Sequence, residues 1–269
     1  MRAALIQHNA RTDKAANLDA LEALIRDAHG EAAPDLVVTP EYATFLGGSR
    51  ADMRAAAETL PDGLSYRRLS GLAAELRIGL HIGSMLERDA HGLYNTAIAF
   101  GRDGRELARY RKIHLLEIQT RSGRLYREAD LFSPGTETVT YQFSGRCVGI
   151  SICFDIRFGG LYRRLVAQGA ELLTIPAVFN DDTGRAHWEV LCRARAIETQ
   201  CFVLAPGQIG THPEPSGARI SHGNSMIVDP WGEILACAPD RTGWIAAELD
   251  FDRLDGIRRR LPVARQQTL

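Results

Sequence analysis

Short apolar strands alternate along this chain with helix-length amphipathic segments, and that alternation restricts it to folds in which helices cover buried sheets. RAALIQ (2–7) and DLVVT (35–39), the latter halted by Pro40, are too short for helices and read as buried strands. Between them, residues 14–29 carry Leu18, Leu21, Leu24, Ile25 and Ala28 on one helical face, with Thr12 or Asp13 as N-cap and Gly30 as the stop. A second helix is expected over 64–76, leading into the half-buried strand IGLHIGSM (78–85). Asp103-Gly104 joins YNTAIAF (94–100) to ELARYRK (106–112) as a hairpin, and Ser144-Gly145 joins VTYQF (139–143) to RCVGISIC (146–153).

The second half repeats the mixture. A helix near 160–168, the strand ELLTIP (171–176), a helix near 186–199 and the strand CFVLAP (201–206) are followed by a hairpin about Pro230-Trp231-Gly232. GWIAAELD (243–250) reads as a strand and 251–260 as a last helix. Crossovers and hairpins together argue an α/β fold, a mixed sheet or two sheets with helices outside. With neither a repeat nor a Gly/Ser-rich linker, residues 1–269 are expected to form one domain. The polar stretch 211–223 is expected to be a long mobile loop, and RLPVARQQTL an extended tail.

Composition narrows the function classes. Hydrophobic residues at 45% and charged residues at 24% are ordinary for a globular protein, and the formal net charge of −1 gives no general attraction to nucleic acid or to an anionic membrane. The longest apolar runs fall well short of the ~20 residues that span a bilayer. The first residues lack the pattern of a signal peptide. Five cysteines with no C-x-x-C pair argue against a disulfide framework or a zinc knuckle, so reduced thiols in the cytoplasm are expected. Cys192, Cys201 and Cys237 are read as packing residues.

Three reactive residues share one setting: Glu41 follows DLVVT, Lys112 ends ELARYR and Cys153 ends CVGISI. In α/β folds ligands gather beyond strand ends, where side chains escape the packed core. Taken singly, Glu41 reads as a surface carboxylate, Lys112 as part of a solvated basic run and Cys153 as a buried inert thiol. Their conjunction points to one site. A Cys–His alternative would use His114 or His187 as base.

TPEY around Glu41, YRKIHL around Lys112 and SICFDIRF around Cys153 resemble, in that order, the three motifs of the nitrilase superfamily of carbon–nitrogen hydrolases. Residues 183–205 and 222–236 resemble its Nit-type amidase branch, which holds omega-amidases and deaminated-glutathione amidases. The resemblance implies a four-layer α-β-β-α sandwich that dimerises through helices, with the 186–199 helix at or near the subunit interface. It implies Cys153 as nucleophile, favoured as thiolate by a helix start; Glu41 as general base; and Lys112 with the N–H of Phe154 as oxyanion donors.

It further implies a second acid at Glu128, with Glu117 as competitor, and substrate contacts from Arg157, Phe179, Thr183, Tyr42 and Phe154. Arg157 would meet a substrate carboxylate or else pair with Asp155. The implied reaction is hydrolysis of a small aliphatic amide to acid and ammonia through an acyl-cysteine, with no metal or organic cofactor. An N-carbamoyl amino-acid hydrolase or nitrilase is the alternative within the superfamily, and a non-catalytic interaction scaffold the alternative outside it. The sequence departs from the family pattern in LLEIQTRSGRLYRE, at Gly159-Gly160 and at Arg185, the first and last bordering the expected substrate entrance.

Overall fold

In strand β1 (Arg2–Gln7), Ala3 and Leu5 enter one hydrophobic cluster and Ala4 and Ile6 another. Successive side chains of a strand point to opposite faces, so both faces of this sheet must be covered. The computed structural model describes residues 1–119, 123, 125–215 and 217–263.

The chain continues through α1 (Lys14–Ala32), β2 (Leu36–Val38), α2 (Arg50–Ala56), α3 (Leu64–Leu76), β3 (Gly79–Arg88), β4 (Leu93–Phe100) and β5 (Glu106–Arg111). A short hairpin, β6 (Glu117–Gln119) with β7 (Leu125–Arg127), precedes β8 (Thr140–Phe143) and β9 (Arg146–Ile150). Then come α4 (Gly159–Ala167), β10 (Leu172–Thr174), α5 (Asp181–Thr199), β11 (Phe202–Ala205), β12 (Ile209–Glu214) and β13 (Gly217–His222). The last elements are β14 (Met226–Val228), β15 (Ile234–Cys237), β16 (Gly243–Glu248) and α6 (Phe251–Arg260).

Two six-stranded sheets result, ordered β16-β1-β2-β3-β4-β5 and β15-β14-β11-β10-β9-β8. Each has three parallel strands, β1-β2-β3 and β9-β10-β11, flanked by antiparallel neighbours. Leu18, Leu21 and Ile25 of α1 and Leu69 and Leu72 of α3 pack on Ala4, Ile6 and Val37 of the first sheet. Ala3, Leu5 and Val38 on its other face share a cluster with Val148 and Ile150 of the second sheet. That cluster extends to Leu161 and Leu165 of α4 and Trp188 and Cys192 of α5. Each fully buried Leu or Ile contributes roughly 1.5–3 kcal/mol. The architecture is the four-layer α-β-β-α sandwich.

Several local expectations are corrected. Asp13, not Thr12, caps α1 through Ala16 N, and the helix passes Gly30 to end at Ala33, in the left-handed region at φ 43°. Pro34 follows at once, and the next residue is already bonded to the β1 backbone. Helix α5 begins earlier than its apolar residues, because Asn180 accepts from Asp182 N and the first turn is polar. Helix α2 went unforeseen because it has no buried residue, only a capping box between Ser49 and Asp52. The expected mobile loop over 211–223 is instead the β12–β13 hairpin, tied to the body by Gly48 N donating to Pro213 O. Cys192 and Cys201 are buried as expected, whereas Cys237 is exposed. The tail expected beyond α6 lies outside the described residues from 264 onward.

Candidate active site

Glu41 owes its position to a tight crossing at the end of β2. The paired register of β3 and β4 shifts between Ile82 and Met85, and a Cβ at Gly83 would lie 2.0 Å from Thr39 O, so only glycine lets the 39–41 segment pass. Tyr42 then adopts φ 52°, and its N–H donates to Ser84 Oγ at 2.8 Å. The turn delivers the Glu41 carboxylate into the interior, 1% exposed. Its Oε1 accepts from Asn95 Nδ2 at 2.8 Å and Lys112 Nζ at 2.9 Å, and its Oε2 from Val178 N at 2.8 Å.

Lys112 follows β5 directly and is not part of a solvated face: it too is 1% exposed. Its backbone N–H donates to Asn95 O, which fixes it beside the residue that also holds Glu41. Its ammonium reaches Glu128 Oε2 at 2.9 Å and Oε1 at 3.1 Å besides Glu41. Glu128 is held in turn by the Tyr42 hydroxyl at 3.1 Å and by Leu116 N at 2.7 Å. Glu117 is exposed and pairs with Arg127, so the second acid beside Lys112 is Glu128.

Cys153 stands just past β9, at φ 48°, with its N–H donating to Pro176 O at 2.8 Å. A left-handed non-glycine conformation carries strain that its surroundings must hold. The hold comes from Asp155, fully buried, which accepts from Ile152 N at 2.9 Å, the Tyr110 hydroxyl at 2.7 Å and His114 N at 3.0 Å.

His114 Nδ1 also meets Asp155 at 2.7 Å, and its ring stacks on Phe158 at 3.7 Å. His187 lies exposed on α5, 3.3 Å from Arg157 Nη2. Neither histidine joins the Glu41–Lys112–Glu128 network; His114 is held by Asp155 and His187 lies beside Arg157. Asp155 is thus not the partner of Arg157.

Burial pushes the Cys153 thiol well above its ordinary pKa, and the neighbouring Glu41 charge pushes it further, against the pull of Lys112. This direction runs against the thiolate expected from a helix start. Burial opposes the charge on Lys112, but Glu128 and Glu41 overcome it and hold the ammonium well above the usual lysine range. Tyr42 is likewise pushed far up by burial and by Glu128. The centre thus sets an ammonium and two carboxylates beside a thiol whose proton burial and Glu41 hold back.

The remaining expected residues surround this centre unevenly. Arg157 lies 5.9 Å from the Phe154 ring and 5.4 Å from that of Phe179. Phe179 is mostly buried against Trp188 at 4.8 Å. Thr183 directs its hydroxyl to Asn180 O at 3.3 Å, within the first turn of α5. Asn95 and the Val178 N–H escaped the sequence reading. The only trace of Asn95 is a polar residue inside the apolar YNTAIAF, and a backbone donor leaves none. Among the described residues no three His, Cys, Asp or Glu side chains converge to hold a metal ion. A surface cleft of ≈ 730 Å³ between α1, α2 and the β12–β13 hairpin contains none of these residues.

The sequence pattern of the carbon–nitrogen hydrolase family matches residues 2–259. The chain belongs to that family. It is 38% identical over 265 residues to a deaminated glutathione amidase of Synechocystis, covering 97% of this chain and 95% of that one. It is 36% identical over 266 residues to the human omega-amidase NIT2, covering 99% and 94%. The crystal structure of the C. elegans NitFhit protein superposes with a TM-score of 0.91 at 32% identity, covering 99% of this chain and 65% of that one. This carbon–nitrogen hydrolase is an amide-hydrolysing enzyme.

The three buried charges of its centre give a stability prediction. Replacing Lys112 by Met leaves two carboxylates facing each other without a cation, and loss of one partner from a buried ion pair costs about 3–5 kcal/mol. Urea denaturation of Lys112→Met at pH 7 is expected to show that loss, whereas a change below about 1 kcal/mol would mean the carboxylates are not held by the ammonium.

Proposed function

We propose that this hydrolase cleaves a small aliphatic amide with a carboxylate at the far end of its acyl chain, through a Cys153 thioester. The observation that carries the reading is Lys112 Nζ at 2.9 Å from both Glu41 and Glu128, deep in the protein and beside the strained Cys153. As Sγ attacks the carbonyl carbon, Glu41 takes the thiol proton and the carbonyl π pair moves to oxygen. The ammonium has three donors and meets three carboxylate oxygens, two of them on Glu128; sharing one N–H between the two Glu128 oxygens leaves a donor for that oxyanion, helped by the Phe154 N–H. One such donor is worth ~2.7–4 kcal/mol in the transition state. Collapse of the adduct breaks the C–N bond while Glu41 returns its proton to the leaving nitrogen. Glu41 then draws a proton from water, which attacks the thioester and releases acid and free thiol. No cofactor enters this scheme.

Arg157, packed over Phe154 next to the nucleophile, suits the carboxylate of the acyl chain, because a guanidinium fork matches carboxylate geometry. The names of the Synechocystis and human relatives support an omega-amide or a deaminated-glutathione-like amide. The chain would work as one catalytic unit. Free, largely buried cysteines suit a reducing cytoplasm.

A homodimer is part of the same reading. Val190 and Ile197, two turns apart on one face of α5, are 68% and 50% exposed, and Trp231 is exposed beside Gly232, whose open side faces Ile197. Contiguous exposed apolar residues mark contact surfaces.

Cys153→Ala is expected to lose at least a thousandfold in ammonia release from omega-amides, and the wild type to show an acyl adduct by intact mass. Glu41→Gln should fall as far, while His114→Asn stays within about tenfold. Activity persisting in Cys153→Ala, or a His114→Asn loss equal to that of Glu41→Gln, would defeat the scheme. For the dimer, sedimentation velocity on a Val190→Asp/Ile197→Asp double variant should find a monomer where the wild type sediments as a dimer. An unchanged sedimentation coefficient would place the interface elsewhere.

A further inference from the structure

A buried glutamine that no step of the hydrolysis uses stands where the two sheets deliver their parts of the centre. Gln208 lies between β11 and β12 and is fully buried. Its side-chain Oε1 accepts from Ala10 N at 2.9 Å, while its Nε2 donates to Glu41 O at 3.0 Å and to Tyr42 O at 3.4 Å. The amide can sit only this way round, because a backbone N–H only donates and a backbone carbonyl only accepts. The backbone N–H of Gln208 donates to Ala177 O at 2.9 Å, and its carbonyl accepts from Gly223 N at 3.1 Å.

These bonds converge on the general base of the proposed scheme. In the segment after β10, Pro176 O holds the Cys153 N–H, Ala177 O receives the Gln208 N–H, and Val178 N donates to Glu41 Oε2. Gln208 thus grips the backbone of Glu41, from one sheet, and the segment from the other sheet that meets both Glu41 and Cys153. Asn95 and Lys112 hold the Glu41 carboxylate at its tip, whereas Gln208 holds the main chain from which that tip extends. An apolar residue of similar size would remove the partner of both Ala10 N and Glu41 O. Misplacing a reacting group by about 1 Å can cost about a hundredfold in rate, so such a tie acts on the chemical step.

We infer that Gln208 is a positioning residue for the hydrolysis, fixing through its amide and its N–H where the Glu41 carboxylate stands relative to Cys153. It acts through Glu41 and has no part in the bond changes themselves. The inference rests on the reading of Glu41 as the base. A glutamate at this position would match the amide only while protonated, its O–H donating to Glu41 O and its carbonyl accepting from Ala10 N. Burial raises the pKa of such a carboxyl, so it keeps its proton near neutral pH and loses it as the pH rises. Once ionised it has no donor for Glu41 O.

The test measures kcat and KM for ammonia release from glutaric acid monoamide, from about pH 6 to about pH 9, in wild type, Gln208→Met, Gln208→Glu and Glu41→Gln. Gln208→Met, close in size but without the amide, is expected to lose at least about thirtyfold in kcat at every pH, with KM within about twofold. Gln208→Glu should stay within about threefold of wild-type kcat at the acid end and fall to the level of Gln208→Met at the alkaline end. A packing role would not produce that divergence, and Gln208→Glu carries the test if Gln208→Met does not fold. A Gln208→Met kcat within about threefold of wild type, a loss carried by KM, or a Gln208→Glu profile parallel to wild type would overturn this inference alone. Full activity in Glu41→Gln, or no turnover by folded, reduced wild type, would overturn the proposed scheme and this inference with it.

Discussion

The ammonium of Lys112, enclosed by Glu41 and Glu128, is the interaction on which the centre depends. Each of these groups is nearly absent from the surface, and each would be costly to bury alone. Their mutual contacts are completed by donors from four other places: Asn95, the Tyr42 hydroxyl and the backbone N–H groups of Val178 and Leu116. With two carboxylates to one ammonium, negative charge predominates beside the thiol, and burial adds to its effect. On the proposed scheme the thiol would start out neutral, with Glu41 in place as its base. On that scheme proton transfer and attack would be one event, and the strained backbone at Cys153 would present the sulfur to it.

The layered fold makes this arrangement possible because its two sheets converge on one end. β2 supplies Glu41, β5 supplies Lys112, and β9 leads to Cys153, while the segment after β10 brings Pro176 O to the Cys153 N–H and Val178 N to Glu41. Glu41 and Lys112 come from one sheet, Cys153 and Val178 from the other. The packing between the sheets, through residues such as Leu5, Val38, Val148 and Ile150, thereby sets the distance between Glu41 and Cys153.

Much of this was legible in the sequence, for reasons that can be named. Strands buried on both faces show as short apolar runs, and the reactive residues stand where those runs stop. The turn at Ser144-Gly145 was visible because both residues take positive φ, as a two-residue hairpin of this kind demands. Failures fell where local chemistry lacks an apolar signature. α2 buries nothing, β12 and β13 are largely exposed and carry proline and glycine, and Gly30 lies in an exposed helical turn where a glycine is tolerated. The charge state of the sulfur was not legible for a different reason: motif and spacing cannot report how deeply a sulfur is buried or the balance of charge around it.

The central claim is that the resting thiol is neutral and that its proton is held back by burial and by Glu41. The most direct measurement is the pH dependence of Cys153 alkylation by iodoacetamide, followed by intact mass, with Cys153→Ser as the reference for the other thiols. Reactivity that keeps rising above the ~8.5 of a free cysteine is the predicted result. A thiolate plateau reached at or below pH 7 would contradict the account and would make Lys112, rather than Glu41, the group that governs the sulfur.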